Sequence, residues 1–316
     1  LVILSSAKLS DKHKRALHDK YPDFTFIFCE KIEEAEQYLN QAEILITYGE
    51  DLTDELVERA FQLKWIMVIS AGLEKMPLTT IEEQGILVTN AKGIHKYQMA
   101  EYAISMLLQV YRQSKVIMEN EQNGKWDKSV RLQELNGKSM LIAGPGAIGG
   151  EVARLAKAFR ITTYGISRSG KPVDNIDEMY TNDELKSILP KADIVVSVLP
   201  STSETTNYFS YEHFQLLPDH AVFLNMGRGD AVSSDVILKV IREGEIAHAV
   251  LDVFETEPLP SDHPFWNEEN ITVTPHISGG SPMYQTRAME IFEQNLRTYL
   301  EDRDDYVNKI DITRGY

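Results

Sequence analysis

Short apolar runs alternate with charged, amphipathic stretches along the first ninety or so residues. The runs at 2–4, 24–28, 44–47, 65–69 and 87–89 have the length of strands, and the segments between them, 11–20, 32–39, 54–62 and 79–83, carry helical spacing. Such alternation predicts a parallel sheet covered by helices on both faces. From 97 to about 120, Met99, Ala103, Met106, Leu107, Val110 and Val116 recur at helical intervals with no Pro or Gly, which predicts one long helix. A polar stretch at 119–134 carries Trp126, and a second series follows it. That series holds a strand at 139–143, a glycine turn, a helix at 149–159 and strands at 162–166, 194–198, 221–225, 248–252 and 272–274, before a closing helix at 284–301. The expectation is an α/β protein of two doubly wound parallel-sheet lobes with a crevice between them.

Composition narrows the classes of function. A chain of 316 residues has the length of about two domains. Its 43% hydrophobic and 25% charged residues are those of a globular chain rather than a disordered one. The charge balance, 32 − 48 = −16, repels phosphate backbones and anionic lipid, so neither a nucleic acid nor a membrane is expected as a partner. Cys29 is the one cysteine, which excludes an intramolecular disulfide and points to a buried thiol in a reducing compartment. The apolar opening Leu1-Val2-Ile3-Leu4 ends at Ser5-Ser6, far short of the roughly 20 residues of a membrane span, so a cytoplasmic protein is expected. His13, His18, His213, His220, His248 and His263 show no ligand spacing, and no metal site is expected.

Chemistry enters at Gly144-Pro145-Gly146-Ala147-Ile148-Gly149. This G-x-G-x-x-G run follows the apolar strand Met140-Leu141-Ile142-Ala143 and opens a helix, the context that marks a dinucleotide turn. Gly144 makes the tight turn, Gly146 admits the pyrophosphate to the backbone, and Gly149 lets helix and strand pack closely. At the end of the next strand an NAD-binding protein places a carboxylate on the ribose. Here that place holds Ser167, Arg168 and Ser169, whose guanidinium and hydroxyls suit a 2′-phosphate. The argument favours NADP(H) and leaves NAD(H) open.

From Gly144 onward the chain resembles the D-isomer-specific 2-hydroxyacid dehydrogenases, in particular the glyoxylate/hydroxypyruvate reductase type. The stretches that carry the resemblance are Leu199-Pro200-Ser201-Thr202-Ser203-Glu204-Thr205, Asn225-Met226-Gly227-Arg228-Gly229, Leu251-Asp252-Val253-Phe254-Glu255-Thr256-Glu257-Pro258 and Thr274-Pro275-His276. Earlier in the chain, Ser70-Ala71-Gly72-Leu73-Glu74 is similar to the family's substrate-carboxylate loop, and Gly93-Ile94-His95 with Met99-Ala100-Glu101 to the entry of the inter-lobe helix. The resemblance implies a catalytic set of Arg228, Glu257 and His276. A guanidinium grips a carboxylate and polarises a carbonyl. An imidazole supplies the proton as hydride arrives, and a carboxylate beside it favours its charged form and fixes its orientation.

Further implications follow from the same resemblance. Cofactor contacts fall on Gly144, Gly146, Ala147, Ile148, Gly149, Ser167, Arg168, Ser169, Leu199, Pro200, Thr205, Met226, Gly227, Asp252, His276 and Gly279. Substrate contacts fall on Ala71, Gly72, Leu73, Arg228 and His276. His95 and Tyr97 either line the crevice or cap the long helix, and Tyr48 and Trp266 either shape the substrate pocket or pack. A flavodoxin-like substrate domain is implied over 1–95 and 282–316, a Rossmann NAD(P)-binding domain over 96–281, and a homodimer through the long helix and the Trp126 segment.

The implied activity is hydride transfer to C2 of a small 2-oxo acid, giving a D-2-hydroxy acid. Glyoxylate and hydroxypyruvate lead as substrates, with a branched 2-oxo acid next. Formate dehydrogenases of this fold pair the histidine with a glutamine, against Glu257 here. Phosphoglycerate dehydrogenases often carry a C-terminal regulatory extension, which is not expected in the forty residues after His276; a short phosphoglycerate dehydrogenase-like enzyme stays open as an alternative. A dinucleotide-sensing, corepressor-like binding protein is the reading from another class, and turnover separates it from a reductase.

Overall fold

The structure is a computed structural model that describes residues 1–70, 72–73 and 75–311. Contacts divide the chain into two compact units, one of Leu1–Ile94 with the chain from Ser281 onward, the other of His95–Gly280.

The first unit is built on strands β1 (Val2–Ser5), β2 (Thr25–Phe28), β3 (Ile44–Thr47), β4 (Trp65–Val68) and β5 (Leu87–Asn90), all parallel, in the order β2-β1-β3-β4-β5. The central strands β3 and β4 are buried along their whole length, which is why they read as unbroken apolar runs rather than alternating ones. Successive side chains face opposite layers. Leu45, Ile66 and Val88 pack with Leu56 and Ile81, while Ile44, Ile46, Trp65 and Met67 pack with Phe292 and Leu296. The last two lie on the helix Tyr284–Leu300, so the end of the chain covers one face of the first sheet. Trp65 stacks on Phe292 at 5.4 Å between ring centroids and donates its Nε1–H to Thr89 Oγ1 at 2.9 Å, which satisfies its one polar atom inside the core.

The second unit holds β6 (Ser139–Ala143), β7 (Thr162–Ser167), β8 (Glu178–Thr181), β9 (Ile194–Ser197), β10 (Val222–Asn225), β11 (His248–Leu251) and β12 (Ile271–Val273). They form one parallel sheet in the order β12-β11-β10-β9-β6-β7-β8. Counted from β6 this is 3-2-1-4-5-6 with a seventh strand added, the doubly wound order whose direction reverses between its first and fourth strands. Ligands of such sheets bind outside the carboxyl ends at that reversal, here between β6 and β9.

Several elements differ from the sequence pattern. The expected single helix from 97 to 120 is two, Lys96–Tyr111 and Ser114–Gln122. Gln113 breaks it in a left-handed conformation (φ 53°), with its Nε2 donating to the Val110 carbonyl of the last turn at 3.0 Å. The segment 32–39 begins as the α-turn Ile32–Ala35 and tightens into a 3-10 helix, Glu36–Gln41. Strand β8 has no apolar run because it is a sheet edge with no fully buried residue. The helix Ser234–Glu243 also went unread, although Ser233 caps its start and Gly244 (φ 72°) ends it. Among the described residues no helix is long and apolar enough to cross a membrane.

Candidate functional site

Parallel pairing sends the carboxyl ends of β6, β7, β9, β10, β11 and β12 to one edge of the second sheet, and the candidate residues follow those ends. Gly144 leaves β6 with φ 80°, and a Cβ there would lie 2.9 Å from the Val198 carbonyl oxygen after β9. Gly149 faces Ile142 and the Gly144 carbonyl, which a Cβ would meet at 2.9 and 3.0 Å. These two glycines are therefore required by close packing. Gly146 differs: a Cβ would meet nothing within 4 Å, and it begins the helix Ala147–Ala158, whose N-terminus no side chain caps. Open space over uncapped backbone N–H groups, including those of Ala147 and Ile148, suits a pyrophosphate.

At the end of β7, Ser167 Oγ accepts from the Gly170 N–H at 3.2 Å and Ser169 Oγ from the Lys171 N–H at 3.4 Å, so both hydroxyl hydrogens stay available to an acceptor. Arg168 extends into solvent with its Nη1 3.9 Å from Glu204, a residue of the loop after β9. In that loop Thr205 Oγ1 donates to the Pro200 carbonyl at 2.6 Å and accepts from the Thr202 N–H at 2.9 Å. The Thr205 hydroxyl thus helps to hold the loop's shape.

Leu199 joins this loop to the next turn. It is buried, and a Cβ on Gly227 would be 2.5 Å from its carbonyl oxygen. Buried Asn225 brackets the turn that carries Arg228, its Oδ1 accepting from the Gly227 N–H at 3.2 Å and its Nδ2 donating to the Arg228 carbonyl at 2.9 Å. Met226 is also buried. Arg228 itself is exposed, with one guanidinium N–H folded back to the Gly227 carbonyl at 2.9 Å. A Cβ on Gly229 would lie 2.0 Å from Phe254, so the arginine turn abuts the segment leading to Glu257. That segment's Phe254 N–H donates to Glu257 Oε1 at 3.0 Å.

Glu257 Oε2 lies 2.7 Å from His276 Nδ1. The pair is half exposed, at 35% and 49% of side-chain surface, so the imidazole is held on one side and open on the other. His276 sits in a left-handed conformation (φ 51°), and its N–H donates to the carbonyls of Asp252 and Thr274 at 2.9 and 3.0 Å. Asp252 is wholly buried. Its carboxylate accepts from Thr274 Oγ1 (2.5 Å), the Ile277 N–H (3.0 Å) and the Ser278 N–H (2.9 Å). These bonds make Asp252 an anchor beneath the His276 turn. The Gly279 carbonyl accepts from Gln98 Nε2 at 3.1 Å.

The remaining candidates are placed as follows. Ala71 and Glu74 lie outside the described residues. In the first unit Leu73 is buried, and the Gly72 carbonyl accepts from Ser70 Oγ at 3.3 Å. Tyr48 packs against the core of the first unit and its hydroxyl donates to the Lys8 carbonyl at 3.5 Å, and Trp266 donates to the Pro260 carbonyl at 2.8 Å. His95 stands at the start of the helix Lys96–Tyr111, with Tyr97 exposed beside it. Sequence reasoning missed Asn225, Glu204, Tyr102 and Gln98. Only Asn225 carried a local signal, an Asn two residues before a glycine at a strand end. Among the described residues no group of three or more His, Cys, Asp or Glu is arranged to hold a metal.

Comparison with known proteins gives one family. The profile described as D-isomer specific 2-hydroxyacid dehydrogenase, NAD binding domain, matches residues 104–278. A glyoxylate reductase from Thermofilum pendens is 31% identical over 265 residues, covering 82% of this chain and 78% of the relative. Among solved structures, a D-isomer specific 2-hydroxyacid dehydrogenase family protein from Aeromonas salmonicida has a TM-score of 0.85 at 30% identity, covering 98% of this chain and 99% of the other. A probable 2-hydroxyacid dehydrogenase from Rhizobium etli, in complex with NADP, HEPES and L(+)-tartaric acid, has a TM-score of 0.81 at 25% identity over 100% of this chain and 99% of its own.

Proposed function

The chain belongs to the D-isomer-specific 2-hydroxyacid dehydrogenase family of NAD(P)-dependent enzymes, and from that premise we propose that it reduces a small 2-oxo acid of the glyoxylate or hydroxypyruvate type to the D-2-hydroxy acid, with NADPH favoured over NADH. The observation that carries the reading is the Glu257–His276 pair at 2.7 Å, with an exposed arginine on a turn whose Gly229 abuts Phe254, at the carboxyl edge of a dinucleotide-type sheet. The room over Gly146 and the uncapped helix behind it fit a dinucleotide pyrophosphate, with Ser167, Arg168 and Ser169 as donors to the 2′-phosphate. When bound, the nicotinamide supplies the hydride.

The chain's own residues do the rest. Arg228 holds the substrate carboxylate in a fork of N–H donors and polarises the 2-oxo group. Glu257 engages His276 at Nδ1, which leaves Nε2 as the nitrogen that gives a proton to the carbonyl oxygen as it becomes an alcohol. In the oxidative direction the same nitrogen takes that proton back. Gly72 and Leu73 are assigned backbone contacts to the carboxylate on the strength of the loop they belong to. Residues 1–95 with 282–316 are assigned to substrate binding, and 96–281 to the dinucleotide. A second copy of the chain is assigned to the apolar surface of the helix Ser114–Gln122 and Trp126. The similarity to a glyoxylate reductase and to a relative holding NADP supports the choice of substrate and cofactor.

Loss of nicotinamide absorbance tests the reading. The purified protein should oxidise NADPH in the presence of glyoxylate or hydroxypyruvate faster than with pyruvate, phenylpyruvate or branched 2-oxo acids. His276→Ala should lower kcat by about 10²–10⁴-fold with NADPH still bound. Absence of turnover across the panel by a dinucleotide-binding protein overturns the reductase reading, and an unaltered kcat in His276→Ala overturns the role of the histidine.

A further inference from the structure

The turn that carries His276 is conformationally demanding. A histidine at φ 51° occupies a region that non-glycine residues enter only when the surroundings impose it. Asp252 imposes part of it, through the bonds to Thr274, His276, Ile277 and Ser278 described above. A second source lies more than 160 residues earlier in the chain. Tyr102 Oη is 2.7 Å from Thr274 Oγ1, and Gln98 Nε2 is 3.1 Å from the Gly279 carbonyl. Residues 98 and 102 are four apart on the helix Lys96–Tyr111 and share one face, so a single helical turn grips the chain on both sides of His276.

The direction of the Tyr102 bond follows from the donors. A carboxylate only accepts, so the Thr274 hydroxyl is spent on Asp252, and its oxygen must accept from Tyr102. Burial pushes the Tyr102 hydroxyl well above its ordinary range, which keeps its proton in place for that donation. The result is a one-way relay from Tyr102 through Thr274, two residues before the histidine, to Asp252.

We propose that Tyr102 is a positioning residue for the reaction: through Thr274 and Asp252, with Gln98 securing the far side, it holds the His276 imidazole where it moves its proton. This rests on the assignment of His276 under the proposed function.

Tyr102→Phe tests it, since phenylalanine keeps the ring and removes only the donor. Expected are a fall in kcat of about tenfold, in line with the sensitivity of proton transfer to sub-ångström displacement, and NADPH affinity, read by nicotinamide fluorescence, unchanged within about twofold. Thr274→Ser, which keeps the hydroxyl, should retain most of kcat. Thr274→Val, which also removes the bond to Asp252, should cost at least as much as Tyr102→Phe, and the double variant Tyr102→Phe with Thr274→Val should be no worse than Thr274→Val, because valine already cuts the relay. An unchanged kcat in Tyr102→Phe overturns the proposal, as does a loss of kcat matched by equal losses of dinucleotide affinity and melting temperature, or a double variant in which the effects multiply. His276→Ala run beside them separates the cases: if it too leaves kcat unchanged, the histidine assignment has failed, and if it cripples kcat while Tyr102→Phe does not, only the relay has.

Discussion

On the proposed cofactor assignment, the choice between NADPH and NADH turns on single charges at the end of β7. Arg168 meets Glu204 at 3.9 Å with both side chains largely in solvent, and an exposed pair of that kind contributes about 0–1 kcal/mol. A 2′-phosphate brings about two negative charges and accepts from a guanidinium in a paired geometry, so it displaces Glu204 from Arg168. Glu204 then remains a negative charge close to the phosphate and weakens NADPH binding without touching NADH. Arg168→Ala should therefore lower the ratio of kcat/KM for NADPH over NADH by about tenfold or more, the scale of a lost charge-assisted bond of 1.5–3 kcal/mol. Glu204→Gln should raise the same ratio by about twofold to fivefold, the scale of one surface charge. An unchanged ratio in Arg168→Ala would remove the basis for preferring NADPH. The serines beside it matter less, because each offers a phosphate one neutral hydroxyl donor where Arg168 offers a charged fork.

Strand β11 begins with a histidine that the reaction does not use. His248 Nε2 lies 2.9 Å from Thr272 Oγ1 on the neighbouring strand β12, and Lys115 of the helix Ser114–Gln122 donates to the same oxygen at 3.0 Å. Burial, and then the Lys115 charge, push the imidazole down to about 4. An unfolded chain binds that proton near pH 6.5, so between about 6.5 and 4 the unfolded state holds more protons than the folded one. Stability is accordingly full above pH 6.5 and falls as the pH drops through that window. His248→Asn should flatten this part of the melting temperature's pH dependence, and an identical slope in the variant would sink the argument. Elements of this kind explain what was legible. Central strands such as β3, β4 and β9, buried on both faces, announce themselves as apolar runs, and the glycine turn announces itself by spacing. Edge strand β8 lacks such a run, and the break at Gln113 depends on a side chain turning back on its own helix. In the candidate site the residues of the Glu257–His276 pair were legible and their supports were not. Nothing local to Tyr102 says that it meets Thr274, and Asp252 looks the same in sequence whether it faces a ligand or anchors a turn.

At the scale of the whole molecule, charge and apolar surface oppose each other. The helix Ser114–Gln122 has no buried residue, yet it exposes Val116, Ile117 and Met118, and Trp126 just beyond it is 89% exposed. A nine-residue helix with no buried face has little to stabilise it alone, and a cluster of large apolar side chains in water marks an interface. A second copy of the same surface would cover both, burying about 1,200–2,000 Å² if it forms a stable contact. Each copy also carries −16, so two copies repel over distances comparable to the Debye length, about 10 Å at 0.1 M salt. Association driven by apolar burial and opposed by net charge should tighten as salt rises, the reverse of an interface held by ion pairs. Sedimentation should give twice the 35.9 kDa chain mass at 0.15 M salt or above, with partial dissociation at low salt and low concentration. Met118→Glu and Trp126→Ala should each shift the protein toward monomer, the first more strongly because it adds two like charges to the centre of the contact. A wild-type chain that sediments as monomer at every salt concentration would leave the Trp126 surface without its second copy, and a dimer that loosens as salt rises would assign the contact to ion pairs instead.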